Sequence, residues 1–157
     1  MADFRISHAP LTGPTARELI LELNAELAEL YPEEGANHFR LDPEEVRPGR
    51  GAFLIADDGE TGTPLGCGAV RLTEPGVAEI KRMYVRSNAR GRGIGRALLL
   101  ALLDQAAALG AARVVLETGE RQAEALKLYR GAGFAETERF GEYVDSPLSV
   151  CMAKTLT

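Results

Sequence analysis

Seven consecutive residues, Arg90-Gly91-Arg92-Gly93-Ile94-Gly95-Arg96, combine three cations with three glycines directly ahead of an apolar, helix-forming run. Glycine lets the backbone take dihedrals that a Cβ forbids and approach a ligand closely. A helix start exposes unpaired N–H groups and carries a partial positive charge. A strand, a glycine-rich turn and a helix in that order therefore make an anion site. Arginines beside it can add charge-assisted hydrogen bonds. The plainer alternative is a basic turn that only redirects the chain. Two well-known phosphate loops do not match. No Lys-Ser/Thr follows a G-x-x-x-x-G spacing, as a triphosphate loop with magnesium requires. The third glycine of a G-x-G-x-x-G dinucleotide loop would fall at position 96, which is Arg96.

The elements that must position this turn are legible from periodicity. Residues 3–9 predict a short strand. Residues 13–31 predict a helix, with Leu19, Leu23, Leu27 and Leu30 at helical spacing and Pro32 as its stop. A polar, Pro- and Gly-rich loop follows, with one helical turn around Asp42–Val46. Residues 52–58, 65–73 and 77–85 predict three strands, the second with glycines that suggest a bulge or close backbone contacts. The turn then feeds a helix over 94–109, with Ile94, Leu98, Ala101, Leu102 and Leu109 as its stripe and Gly110 as its end. A buried strand at 112–118, a helix at 121–133 and strands at 134–140 and 148–156 complete the chain. Strand and helix alternate most clearly after residue 76, which predicts a mixed α/β sheet with helices on its faces. The length suits one domain, residues 1–157.

Composition narrows the partners. The net charge of −5 argues against a general nucleic-acid binder, which carries a basic face. No apolar run is long enough for a membrane span, and the N-terminal order is not that of a signal peptide. The expectation is a cytoplasmic protein. Cys67 and Cys151 lie in apolar segments without metal-ligand spacing, so they are expected as buried thiols. The two histidines, His8 and His38, are distant in sequence, and no metal is expected.

The pattern R/Q-x-x-G-x-G/A at Arg90–Gly95 resembles the pyrophosphate loop of the GNAT superfamily, the GCN5-related N-acetyltransferases. The likeness extends over EIKRMYVRSNARGRGIGRALL, Glu79–Leu99, and over ALKLYRGAGF, Ala125–Phe134. With the spacing between them it covers residues 52–155. The resemblance implies a twisted, mostly antiparallel sheet of six to seven strands with a parallel fourth and fifth pair, flanked by about four helices. It implies acetyl-CoA as acyl donor. The pyrophosphate would rest on Arg90, Gly91, Arg92, Gly93, Ile94, Gly95 and Arg96, chiefly on backbone N–H groups. The pantetheine arm would run along Met83, Tyr84 and Val85, with Gln122 nearby, and a backbone N–H of Met83 or Tyr84 would hold the thioester oxygen.

By the same resemblance Glu79 is the candidate general base, with a water as the alternative, and Tyr129 is the candidate acid for the leaving thiolate. Strand alternation predicts Glu79, Lys81, Met83 and Val85 on one face, and Ile80, Arg82 and Tyr84 on the other. Asn37, His38, Arg40, Arg82 and Tyr143 are the candidate acceptor residues, with Ser146 beside Tyr143. The acceptor is expected to be a primary amine of a small molecule, such as an amino acid or polyamine. Alternatives are a protein N-terminus or lysine, or an acyl-CoA sensor without turnover. The last strands suggest a homodimer edge.

Overall fold

The computed structural model describes residues 3–33 and 41–156. Seven strands form one sheet: β1 (Phe4–His8), β2 (Gly51–Asp58), β3 (Pro64–Glu74), β4 (Val77–Val85), β5 (Arg113–Gly119), β6 (Ala135–Thr137) and β7 (Ser149–Thr155), in the order β1-β2-β3-β4-β5-β7-β6. All pairs are antiparallel except β4 with β5. Three α-helices, α1 (Pro14–Leu30), α2 (Ile94–Ala108) and α3 (Ala123–Gly131), are joined by three short 3-10 turns. The helical turn expected around Asp42–Val46 is one of these, Pro43–Val46, opened by Asp42 and Glu45 as a capping box. Among the described residues the α-helices number three, where the resemblance implied about four.

Each face of the sheet carries its own apolar cluster. On one, α2 buries Ile94, Leu98, Leu99, Leu102 and Leu103 against alternate residues of the strands, among them Leu54, Val70, Ile80 and Leu116, and α3 adds Tyr129. On the other, α1 buries Ala16, Leu19 and Leu23 against Phe53, Ile55, Cys67 and Tyr84. The strict alternation of β2, Leu54 to one side and Phe53 and Ile55 to the other, is what allows both faces to be covered.

Two irregularities in β4 shape everything near the glycine turn. The first is a bulge. Cys67 pairs with Tyr84 and Ala69 with Lys81, so Arg82 and Met83 together oppose Gly68. Arg82 takes φ 58°, the left-handed region. The glycines of β3 make room. A Cβ on Gly68 would lie 2.6 Å from Leu102 and 2.8 Å from Met83 Sδ, and one on Gly66 would lie 2.5 Å from the Tyr84 carbonyl. The glycine-based expectation of a bulge or close contact holds on both counts. The second irregularity is a parting. β4 and β5 pair only from Val77–Ile80 against Arg113–Leu116, and beyond that the strands separate.

The bulge overturns the simple alternation expected for β4. One extra residue shifts the phase of every side chain that follows. Glu79 and Lys81 lie on the face opposite Ile80, as expected. Met83 and Val85 instead pack with Ile80 on the α2 side, and Tyr84 joins the α1 side.

Candidate functional site

The glycine turn joins β4 to α2. Gly91 and Gly93 have φ 84° and 81°, and an added Cβ on either would meet nothing within 4 Å. Gly93 is the N-cap of α2 and no side chain caps the helix. The first N–H groups of α2 therefore face open space, the arrangement that favours an anion. The arginines behave differently from a ring of free cations. Arg90 donates to the Val85 carbonyl at 2.9 Å and to Glu26 at 2.7 Å, and Arg92 pairs with Asp3 at 2.7 Å. Arg86 pairs with Glu18 and Glu22. The backbone supplies the cradle, while α1 neutralises much of the nearby charge. Ile94 is buried in the core, so only its backbone faces the turn; Gly95 packs near Leu128 and Val85; Arg96 is exposed.

A cleft of about 100 Å³ opens where β4 and β5 part. Its walls include Lys81, Arg82 and Met83 from β4, Glu117, Thr118 and Gly119 from β5, and Gln122, Tyr129 and Tyr143. Of the expected cofactor residues, Met83 and Gln122 line the cleft. Val85 is Gly66's partner, and Arg86 N–H donates to Leu65 O, so alternation turns the Val85 backbone away from β3. Tyr84 pairs in the β3 ladder and its hydroxyl donates to Glu22 at 3.2 Å. Asn37, His38 and Arg40 lie outside the described residues. Arg82 and Tyr143, the two other candidate acceptor residues, line the cleft.

Glu79 sits in the closed, paired part of β4 and does not line the cleft. It is 1% exposed. Its Oε1 accepts from Arg71 Nη2 at 2.8 Å and Nε at 3.1 Å, and its Oε2 accepts from the Tyr143 hydroxyl at 2.6 Å. Arg71 also bonds Glu45. Both carboxylate oxygens are thus occupied by a buried network.

Sequence reasoning passed over Glu117, two residues before the end of β5. It lines the cleft just beyond the paired segment. Burial, opposed by a hydrogen bond from Ser149 at 2.5 Å, pushes its carboxyl from the ordinary 4.5 to about 7. The available signal was a carboxylate directly after the apolar run Val114–Leu116 within a strand, since a buried acid needs a reason. Lys81 was also missed as a cleft residue; burial lowers its pKa, and Glu142 lies 3.6 Å from its ammonium.

Tyr129 is buried beneath the cleft, edge-on to Phe134 at 6.0 Å between centroids. Burial raises its pKa. No hydrogen bond to its hydroxyl is formed among the described residues. The Thr118 hydroxyl is buried in the cleft wall and also lacks a partner among them.

Comparison with known proteins decides the family. The family model described as Acetyltransferase (GNAT) family matches residues 17–134. An IAA acetyltransferase of Azospirillum brasilense is 45% identical over 140 residues, 88% of this chain and 89% of that protein. The chain belongs to the acetyltransferase (GNAT) family. A Klebsiella pneumoniae subsp. pneumoniae structure assigned as an acyl-CoA N-acyltransferase superposes with TM-score 0.81 at 31% identity, covering 98% of both chains. A GNAT acetyltransferase of Elizabethkingia anophelis, solved with acetyl-CoA bound, has the same fold, with TM-score 0.70 at 18% identity over 99% of this chain and 100% of that one.

As a GNAT acetyltransferase the chain uses acetyl-CoA, and the site suits that molecule. A diphosphate needs backbone donors without side-chain obstruction, which Gly91 and Gly93 provide. An amide-bearing arm needs polar partners along its path, and the unpartnered Thr118 hydroxyl offers one. Cys67 and Cys151 are free and buried, as expected. No helix among the described residues is long and apolar enough to cross a membrane.

Proposed function

We propose that this GNAT acetyltransferase acetylates the primary amine of a small molecule, with Glu117 as the base that takes the amine's proton and Tyr129 as the acid that serves the leaving sulfur. The observation that carries this reading is Glu117, a carboxylate poised near neutrality in the cleft where β4 and β5 part. Acetyl-CoA supplies an activated acetyl thioester. Everything else falls to the chain. The α2 N-terminus and the 91–95 backbone hold the diphosphate, and the β4 edge from Met83 to Val85 orients the arm. An alkylammonium ion cannot attack, so Glu117 accepts one proton from it; a base with a pKa near the working pH does this best. The Tyr129 hydroxyl, free of protein partners among the described residues, donates to the departing thiolate and is reprotonated from solvent. Lys81 and Arg82 line the same cleft and suit an acceptor that carries an anionic group beside its amine.

Calorimetric titration with acetyl-CoA, followed by assay against a panel of small amines and N-terminal peptides, tests the proposal. Glu117→Gln should bind acetyl-CoA as the parent does and lose roughly 10²–10⁴ in kcat. Gly93→Asp should weaken acetyl-CoA binding. Full activity in Glu117→Gln would remove the base, and absent acetyl-CoA binding would remove the whole reading.

A further inference from the structure

Glu117 is one end of a short chain of hydroxyls. Ser149, the first residue of β7 and the partner of Gly119, donates its Oγ–H to Glu117 Oε2 at 2.5 Å. The Ser146 Oγ lies 2.7 Å from Ser149 Oγ. A serine hydroxyl has one proton. Ser149 spends its own on the carboxylate, so Ser146 is the donor in the second bond. The direction of the chain is thereby set: Ser146 to Ser149 to Glu117. Ser149 is buried, and Ser146 stands half-buried in the loop leading to β7, between exposed Asp145 and Pro147. The loop is braced rather than loose. Ser146 N–H donates to Tyr143 O at 3.0 Å, Ser149 N–H to Ser146 O at 3.1 Å, and the Arg139 guanidinium donates to the carbonyls of Pro147 and Ser149.

We propose that Ser146 and Ser149, which line the cleft on its β7 side, form a relay that carries the amine's proton from Glu117 to solvent. The proposal rests on Glu117 being the base. The step balances without a co-reactant other than water. As the acceptor N–H bond breaks, an O–H bond forms on Glu117. With Glu117 protonated, the two hydroxyls first rotate so that Ser149 donates to Ser146 and Ser146 to a solvent water. The carboxyl proton then passes to Ser149 Oγ, the Ser149 proton to Ser146 Oγ, and the Ser146 proton to the water. Glu117 is left ionised, and the hydroxyls end in the inward orientation that the structure shows. The groups whose charge bears on Glu117 are few. β4 contributes Glu79, Lys81 and Arg82, and the turn before β7 contributes Glu142 and Tyr143. Tyr31, Tyr129 and Cys151 complete the set from α1's end, α3 and β7. Ser149 meets Glu117 in a direct hydrogen bond at the strand ends, at 2.5 Å.

The test compares Ser146→Ala, Ser149→Ala, Ser149→Thr and Glu117→Gln, with acetyl-CoA affinity by calorimetry and pH profiles of kcat and kcat/KM in H2O and D2O. Ser149→Ala should move the acidic limb of kcat/KM to higher pH and lower kcat roughly tenfold, with Ser149→Thr restoring both. Ser146→Ala leaves the Ser149–Glu117 bond in place, so its acidic limb should stay put while kcat falls and recovers with added small buffer bases. Acetyl-CoA affinity should be unchanged in all four. Unaltered kcat and pH profile in both alanine variants, with Glu117→Gln inactive, would overturn the relay and keep the base. A parental profile in Glu117→Gln would overturn both. If Ser149→Ala fails to fold, Ser146→Ala alone decides, because parental kcat there ends the proposal.

Discussion

Glu79 and Glu117 are both carboxylates on adjacent parallel strands, yet their surroundings differ in kind. Glu79 has two arginine donors on one oxygen and a tyrosine hydroxyl on the other. Glu117 has one serine and a cleft. Glu79→Gln should therefore cost about 1–3 kcal/mol of stability by urea unfolding, through a weakened buried network, while the acidic limb of the rate profile stays in place. Loss of that limb would return the base role to Glu79. Glu117 makes a stability prediction with a definite sign. Its folded pKa of about 7 lies above the ordinary 4.5, so the native state holds the proton where the unfolded chain has released it. Stability contributed by this group is present below pH 4.5 and lost as pH rises to about 7. Glu117→Gln removes the penalty. It should gain on the parent across that window, reaching about 3 kcal/mol above pH 7, as read by urea unfolding at several pH values. Tyr129→Phe should lower kcat with little change in melting temperature, since the hydroxyl gives up no bond among the described residues. Of these residues, Tyr129 was legible in the sequence because its motif is local. Glu117 was not, because its meaning comes from where β4 and β5 separate, and spacing along the chain does not report that.

At the scale of elements, the glycine turn and the β4 bulge divide the work. The turn was readable: Gly91 and Gly93 sit where only glycine adopts a positive φ without strain. Gly93→Ala should cost about 1 kcal/mol from the backbone alone, because its Cβ meets no atom. Acetyl-CoA affinity should fall by more than that cost explains, since the added methyl points into the space in front of the helix; unchanged affinity by calorimetry would show that the diphosphate lies elsewhere. The bulge was half-readable. The glycines of β3 signalled it, but its position at Arg82, and so the reversal of Met83 and Val85, depends on the pairing with Gly68. The arginines around the turn show the same split. Their number is a sequence fact, whereas their neutralisation by Glu26, Glu22 and Asp3 requires α1 and the N-terminal strand to fold against them.

For the whole molecule, the cleft exists only because seven strands are drawn into one sheet and two of them part midway. A ligand that bridges the turn and the cleft binds the folded state alone and must stabilise it. Acetyl-CoA at a hundredfold excess over its Kd should add about 2.7 kcal/mol, a rise of roughly 5–10 °C in melting temperature for a chain of this size. Gly93→Asp should shrink that rise at the same concentration. The sequence by itself determined the order of strands and helices, the glycine turn, the family and Tyr129 as a candidate acid, because these are set by local periodicity, steric freedom and short motifs. Only the tertiary structure decided which carboxylate faces the cleft, which way the residues after the bulge point, and which hydroxyls bond Glu117 and one another. Those depend on strand register and on contacts between residues far apart in the chain, and a one-residue slip in register changes every one of them.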